Sequence, residues 1–104
     1  MIYELRHYFP VPGKEEAILN RFQSHTFKIF DRRGFKVHDF WVEANGSGHL
    51  WYVLEWQSAE QMKSEWSKFV NDEEWQSVKA ESEKGGPIVE KIDAIVLKRL
   101  AWSV

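Results

Sequence analysis

A hairpin that is apolar on both faces constrains this chain more than any other feature. The stretch HDFWVEANGSGHLWYVLEW, residues 38–56, reads as two strands joined by an NGSG turn. A small antiparallel hairpin normally buries one side and wets the other, so apolar and polar residues should alternate. Here tryptophans fall on both sides. With a four-residue loop, Ala44 faces His49, Trp41 lies opposite Tyr52 and Phe40 opposite Val53. One face then carries Phe35, Val37, Asp39, Trp41, Leu50, Tyr52, Leu54 and Trp56. The other carries His38, Phe40, Val42, Trp51, Val53 and Glu55. A one-residue change in the turn would mix these sets and still leave both faces apolar.

The flanking segments supply the rest of a sheet. IYELRHYF, residues 2–9, alternates and is rich in β-formers, with Tyr3, Leu5, His7 and Phe9 on one side and Ile2, Glu4, Arg6 and Tyr8 on the other. Pro10, Pro12 and Gly13 end it. The next segment, KEEAILNRFQSHTFKIFDRR, places Ile18, Phe22, His25 and Ile29 at helical spacing, flanked by Leu19, Thr26 and Phe30. Glu15 and Glu16 in its first turn, Lys28, Arg32 and Arg33 in its last, and Gly34 beyond fit a helix with a left-handed cap. Ser58 with Gln61 forms a capping-box pattern ahead of Met62, Trp66 and Phe69, and Asn71 with Glu74 repeats it ahead of Trp75 and Val78. Gly85, Gly86 and Pro87 close that helix, and IVEKIDAIVLKRLAW reads as a fourth strand whose later part is apolar on both sides.

The order is β-α-β-β-α-α-β, which folds most simply as an α+β, ferredoxin-like, four-stranded antiparallel sheet with helices on one face. At 104 residues one domain is expected. The 6 Trp and 7 Phe within a chain that is 43% hydrophobic exclude a disordered segment. The helices cover one face of the sheet, and the aromatic side chains on the other need a second cover. A second copy packed sheet against sheet provides it, so a homodimer through the sheet face is expected.

A net charge of -2 offers no electrostatic attraction to nucleic acid or to an anionic membrane surface, and neither is an expected partner. The absence of cysteine removes disulfides, CxxC redox chemistry and thiolate metal sites. Glu4 and Arg6 interrupt the apolar run that a signal peptide needs, and no segment reaches transmembrane length, so a cytoplasmic location is expected.

The phrases MIYELRHY followed by PGK, RRGFKVHDFWVEANG and NDEEWQSVKAESEKGGPI together resemble the NIPSNAP family of the dimeric α/β-barrel superfamily. Tyr3, Leu5, Arg6, Pro12, Gly13, Lys14, Gly34, Trp41, Asp72, Trp75 and Gln76 carry the likeness, which spans nearly the whole chain. Asp39 stands where the family often has Gly, and Glu73 where Pro often follows the helix-opening Asp. The first departure adds a carboxylate to a sheet face that would line the cavity. The resemblance implies two ferredoxin-like sheets closing into a barrel across a dimer. It also implies a superfamily that works on aromatic, polyketide or lactone molecules by cofactor-free oxygenation, isomerisation or haem chemistry, although the NIPSNAP branch has no generally established reaction. Fold analogy does not choose among these.

Candidate site residues come in three groups. His25, on the apolar face of the long helix, reads as a general base or haem ligand facing a cleft between helix and sheet, or as a half-buried histidine bonded to backbone. Arg6 and Tyr8 read as an anion partner with a neighbouring hydroxyl, or as an ion pair with Glu4 beside an aromatic rim. Asp39, Trp41 and Tyr52 read as a pocket for a flat ligand, with Trp66 as its cap or as plain core. His25 and Asp39 are the catalytic candidates, and Arg6, Tyr8, Trp41, Tyr52 and Trp66 the binding ones. With His7, His38 and His49 isolated in sequence, no metal site is expected, and no cofactor is expected either. The NGSG turn has the glycines of a phosphate loop but joins two strands instead of feeding a helix.

The leading expectation is a dimeric protein binding or transforming a small molecule between sheet and helices. The alternative is a non-catalytic structural or protein-interaction module. An RNA-recognition-type domain shares the element order, but HLWYVLEW lacks that module's Lys/Arg-Gly opening.

Overall fold

The computed structural model describes residues 1–102. Four strands, β1 (Ile2–Pro10), β2 (Lys36–Val42), β3 (Leu50–Trp56) and β4 (Val89–Leu97), form one antiparallel sheet in the order β2-β3-β1-β4. β1 sits between β3 and β4, so the first residues of the chain hold the sheet together. The first crossover runs through α1 (Glu15–Arg21), a π-helical turn (Phe22–Thr26) and α2 (Phe27–Arg32), the second through α3 (Ala59–Val70) and α4 (Glu73–Ser82). This is the expected α+β ferredoxin-like fold. No helix among the described residues is long and apolar enough to cross a membrane.

The helices cover one face. Along β3, Leu50, Tyr52, Leu54 and Trp56 are buried while Trp51, Val53 and Glu55 are partly open, and the register brings Tyr8, Arg6, Glu4 and Ile2 of β1 onto the same helix-side face. Ile18, Phe22, Ile29, Phe30 and Phe69 from the helices complete the core with Phe35 and Ile88.

Two local irregularities change the expected faces. The β2–β3 register shifts between Val37 and Asp39, leaving His38 as a bulge, so Phe40 pairs with Tyr52, Trp41 with Trp51 and Val42 with Leu50. Trp41 opposite Tyr52 is therefore corrected by one residue. Val37 and Phe40 turn toward the helices and Asp39 and Trp41 away from them. The second irregularity is the π turn, which closes with the Phe27 amide donating to the Phe22 carbonyl. Ile18, Phe22, Thr26 and Phe30 recur every four residues, a spacing that drifts by about 40° per step on a regular α-helix. One wide turn absorbs that drift and keeps all four side chains inward, at the cost of turning His25 outward.

Ser58 caps α3 by accepting from the Gln61 amide, as its sequence pattern requires. The cap of α4 is Asp72, which accepts from the Trp75 amide, whereas Asn71 bonds back to the Ser67 carbonyl. Asp72 wins the position because its buried carboxylate also receives Arg32 at 2.8 Å and Arg33 at 2.8 Å from the end of α2. This junction ties the two crossovers together. Burial opposes the charge on Asp72, but the Trp75 amide and the two guanidinium groups outweigh it and hold the carboxyl at about 2, below its ordinary 3.8. A depressed carboxyl stabilises the fold above its ordinary value and loses that contribution as pH falls toward 2. Asp72→Asn is accordingly expected to cost about 1–2 kcal/mol near neutral pH, the exposed side of Arg32 screening part of the interaction. Urea melts of parent and variant should converge toward pH 2, and a gap independent of pH would refute the assignment.

β4 is exposed along nearly its whole length. Opposite Tyr8 and Glu4 of β1, Ile92 and Val96 lie on the helix side but stay exposed. Ile95 and Leu97, opposite Leu5 and Tyr3, lie on the outer face, 56% and 45% exposed.

Candidate functional site

A polar network is buried between β1, β3 and α3, where a core would ordinarily be apolar. Alternation on β1 aims Glu4, Arg6 and Tyr8 at the helices, and the same alternation on β3 delivers Tyr52. Arg6 donates from Nε to Tyr52 Oη at 3.0 Å, from Nη1 to Glu4 Oε2 at 3.0 Å and from Nη2 to Tyr8 Oη at 3.3 Å. The two tyrosine hydroxyls share a hydrogen bond of 2.9 Å. Glu4 Oε1 accepts from both Trp56 Nε1 at 3.0 Å and Trp66 Nε1 at 2.8 Å, and the Arg6 guanidinium lies 4.2 Å over the Trp66 ring. Burial works against the Arg6 charge, but the oxygens of Tyr52, Tyr8 and Glu4 outweigh it and raise its pKa. Burial also pushes the Tyr52 hydroxyl well above its usual range, with Tyr8 beside it adding to the effect. At neutral pH Arg6 is therefore a cation and Tyr52 a neutral phenol.

Beside this network lies a half-open cavity of about 350 Å³ between the helices and the β1–β4 part of the sheet. Tyr8 belongs to both. Its other walls include Phe22, Phe30, Phe69 and Trp75, with Arg21 and Thr26 as polar members. Arg21 is buried, donates from Nη1 to Glu83 at 3.0 Å and Ser82 at 3.2 Å, and stacks its guanidinium 4.9 Å from the Trp75 ring. Its Nε is buried without a hydrogen-bond partner, the one such side-chain atom among the described residues.

The candidate residues divide between three places. Arg6, Tyr8, Tyr52 and Trp66 meet in one network, as a binding cluster would require. Yet Tyr52 is 0% exposed and, with Arg6 and Trp66, is absent from the cavity wall, so Tyr8 alone of the four reaches it. Asp39 and Trp41 do not join Tyr52. The His38 bulge puts them on the outer sheet face, with Trp41 46% exposed. His25 does not face a cleft between helix and sheet. The π turn leaves it exposed in a groove between α1 and α4, beside Ala17, Ser24 and Val78. His7 and His49, isolated in sequence, stand side by side on the outer face.

Sequence reasoning missed Arg21, Thr26 and Trp75 as cavity residues. The four-residue spacing of Ile18, Phe22, Thr26 and Phe30 was the available signal. A helix wound to satisfy it brings Arg21 inward with Phe22.

The model of the NIPSNAP family matches residues 3–104. Among solved structures, the chain superposes on an uncharacterized NIPSNAP domain protein from Burkholderia xenovorans with a TM-score of 0.83 and 17% identity, covering 100% of this chain and 99% of that one. A NIPSNAP family protein from Agrobacterium tumefaciens gives a TM-score of 0.84 and 17% identity over 98% of this chain and 95% of that one. An antibiotic biosynthesis monooxygenase shares the fold more distantly, with a TM-score of 0.67 and 12% identity over 96% of this chain and 99% of that one. No curated protein matches the chain.

Proposed function

The chain belongs to the NIPSNAP family, and from that premise we propose that it is a homodimeric binding protein for a small, flat, anionic molecule held in the cavity beside Arg21. The observation that carries this reading is a cavity walled by the rings of Phe22, Phe30, Phe69 and Trp75, whose lining also includes Arg21, Lys79 and Lys91 beside Glu83 and Glu90. Arg21 keeps an unused donor at its buried Nε, which a ligand carboxylate would take up once the side chain turns toward the cavity. Phe22, Phe30, Phe69 and Trp75 offer ring faces and edges to a flat molecule, and Tyr8 Oη adds a second polar contact. The homodimer rests on the apolar residues that one chain leaves open on the outer face, Trp41, Ile95 and Leu97. Light scattering across a dilution series tests that part, and a stable monomer would remove it.

The binding reading is tested by melting the protein with a panel of planar aromatic carboxylates and their matched amides. A carboxylate at a hundredfold excess over its dissociation constant should stabilise the fold by about 2.7 kcal/mol. Its amide should bind about tenfold or more weakly. Arg21→Gln removes both the positive charge and the planar fork, and should cut the preference for carboxylate by about tenfold. His25→Ala and Asp39→Asn, both remote from the cavity, should leave affinity unchanged. A panel without any stabilising member, or a preference undiminished in Arg21→Gln, would sink the reading.

A further inference from the structure

On the opposite face of the sheet, at the end where β2 turns into β3, three side chains of metal-ligand type converge. His7 comes from β1, and Glu43 and His49 stand at the two stems of the NGSG turn. Their ligand atoms all lie within 4.8 Å of one another. His7 Nε2 is 2.8 Å from His49 Nδ1, and the Glu43 carboxylate oxygens lie 3.8 Å from the first and 3.9 Å from the second. We propose that His7, Glu43 and His49 form a binding site for a divalent transition metal ion of the zinc class, independent of the cavity on the helix side.

The geometry suits an ion held by bonds of about 2.0–2.2 Å, since two such bonds at an angle of about 90–110° place their donor atoms roughly 2.8–3.6 Å apart. The two imidazoles stand just inside that range. Replacing the proton they share with a cation requires them to part by a few tenths of an ångström, and the carboxylate to close in by about half of one. Two imidazoles with one carboxylate favour zinc and its first-row neighbours over magnesium or calcium, which prefer all-oxygen sites. Three protein ligands leave a fourth coordination position for a further ligand.

The surroundings fix the ligands as a metal site requires. The His7 ring is stacked on Trp51 at 3.8 Å and packs against Phe9 at 4.0 Å. Trp51 Nε1 donates to Glu43 Oε2 at 2.8 Å, and Ser47 Oγ donates to Glu43 Oε1 at 2.8 Å. The same Ser47 Oγ accepts from the His49 amide, while Asn45 Oδ1 accepts from the Ser47 amide. Gly46 at φ 81 and Gly48 at φ 78 supply left-handed positions that allow so tight a loop. The glycine-rich turn thus orients both the carboxylate and one imidazole. Across the ladder on the same face, Asp93 pairs with His7 and sits 3.5 Å from Lys91, so the neighbourhood has no excess of positive charge to repel a cation.

The test is titration of the tag-free chain with Zn2+ in a calorimeter, with Co2+ as a spectroscopic substitute and Mg2+ as the hard-ion comparison. One Zn2+ per chain is expected, with Co2+ quenching tryptophan emission through Trp51 and Mg2+ failing to compete. His49→Gln and Glu43→Gln, the second retaining acceptors for Trp51 and Ser47, should each weaken Zn2+ binding by about a hundredfold or more while circular dichroism shows an intact fold. His38→Gln, on the same face but bonded to Glu55, should bind as the parent does. Absence of saturable binding, binding retained in both the His49 and Glu43 variants, or equal loss in His38→Gln would overturn the site.

Discussion

Replacing Arg6 with leucine is expected to destabilise the protein by about 3–5 kcal/mol, because it strands the carboxylate of Glu4 in the core without its cation. The two indoles that donate to Glu4 hold it in place but carry no charge to balance it. Two phenols also lose their shared donor. Glu4→Leu alone should cost a comparable amount by stranding Arg6 and both indole N–H groups. The double substitution should recover much of the loss, since a buried ion pair is often replaceable as a unit although neither half is dispensable. Urea unfolding at one fixed protein concentration measures all three, the concentration being held because any dimerisation would otherwise enter the result. A cost below about 1 kcal/mol for Arg6→Leu would mean that the network is hydrated instead of sealed.

Phe30→Ala should cost about as much, roughly 3–5 kcal/mol, for a different reason. Phe30 is fully enclosed and touches rings from every layer of the core, with centroids 4.8 Å from Phe35, 5.3 Å from Phe69, 5.9 Å from Trp66 and 6.1 Å from Tyr52. It also forms part of the cavity wall. Its removal should therefore enlarge the cavity as well as weaken the core, and benzene or indole should restore part of the lost melting temperature in the variant. If neither does, the surrounding aromatic residues have collapsed into the space, and the expected loss of stability should shrink accordingly.

Much of this fold can be read from residues whose local and global preferences agree. Ser58 capping α3, the strict alternation of Glu4, Arg6 and Tyr8, and Gly34 after the first crossover each point to the observed element. The exchange of faces on β2 escaped because a bulge breaks the period of two. Its trace is the three-residue step from Val37 to Phe40, hidden by Trp41, a large apolar residue that sits on the outer face. His25 was misplaced for the same kind of reason, a regular period assumed across a turn that is wider than regular. Of the candidate residues, Arg6, Tyr8 and Tyr52 come together through the pairing of β1 with β3, and Trp66 joins them from α3 through Glu4. The His7, Glu43 and His49 group was invisible because only the sheet register and the folding of the turn make neighbours of residues so far apart in sequence.

The wide turn at residues 22–26 has a consequence for how the chain can change length. A π turn accommodates one more residue than the same rotation of a regular helix, so the first crossover carries a surplus residue between two fixed packing faces. Gln23, Ser24 and His25 are all exposed there. Deleting one of them would let the turn rewind as ordinary helix while Ile29 and Phe30 keep their orientation toward the sheet. This crossover can therefore lose a residue in its middle without disturbing Arg21 on one side or the Asp72 junction on the other.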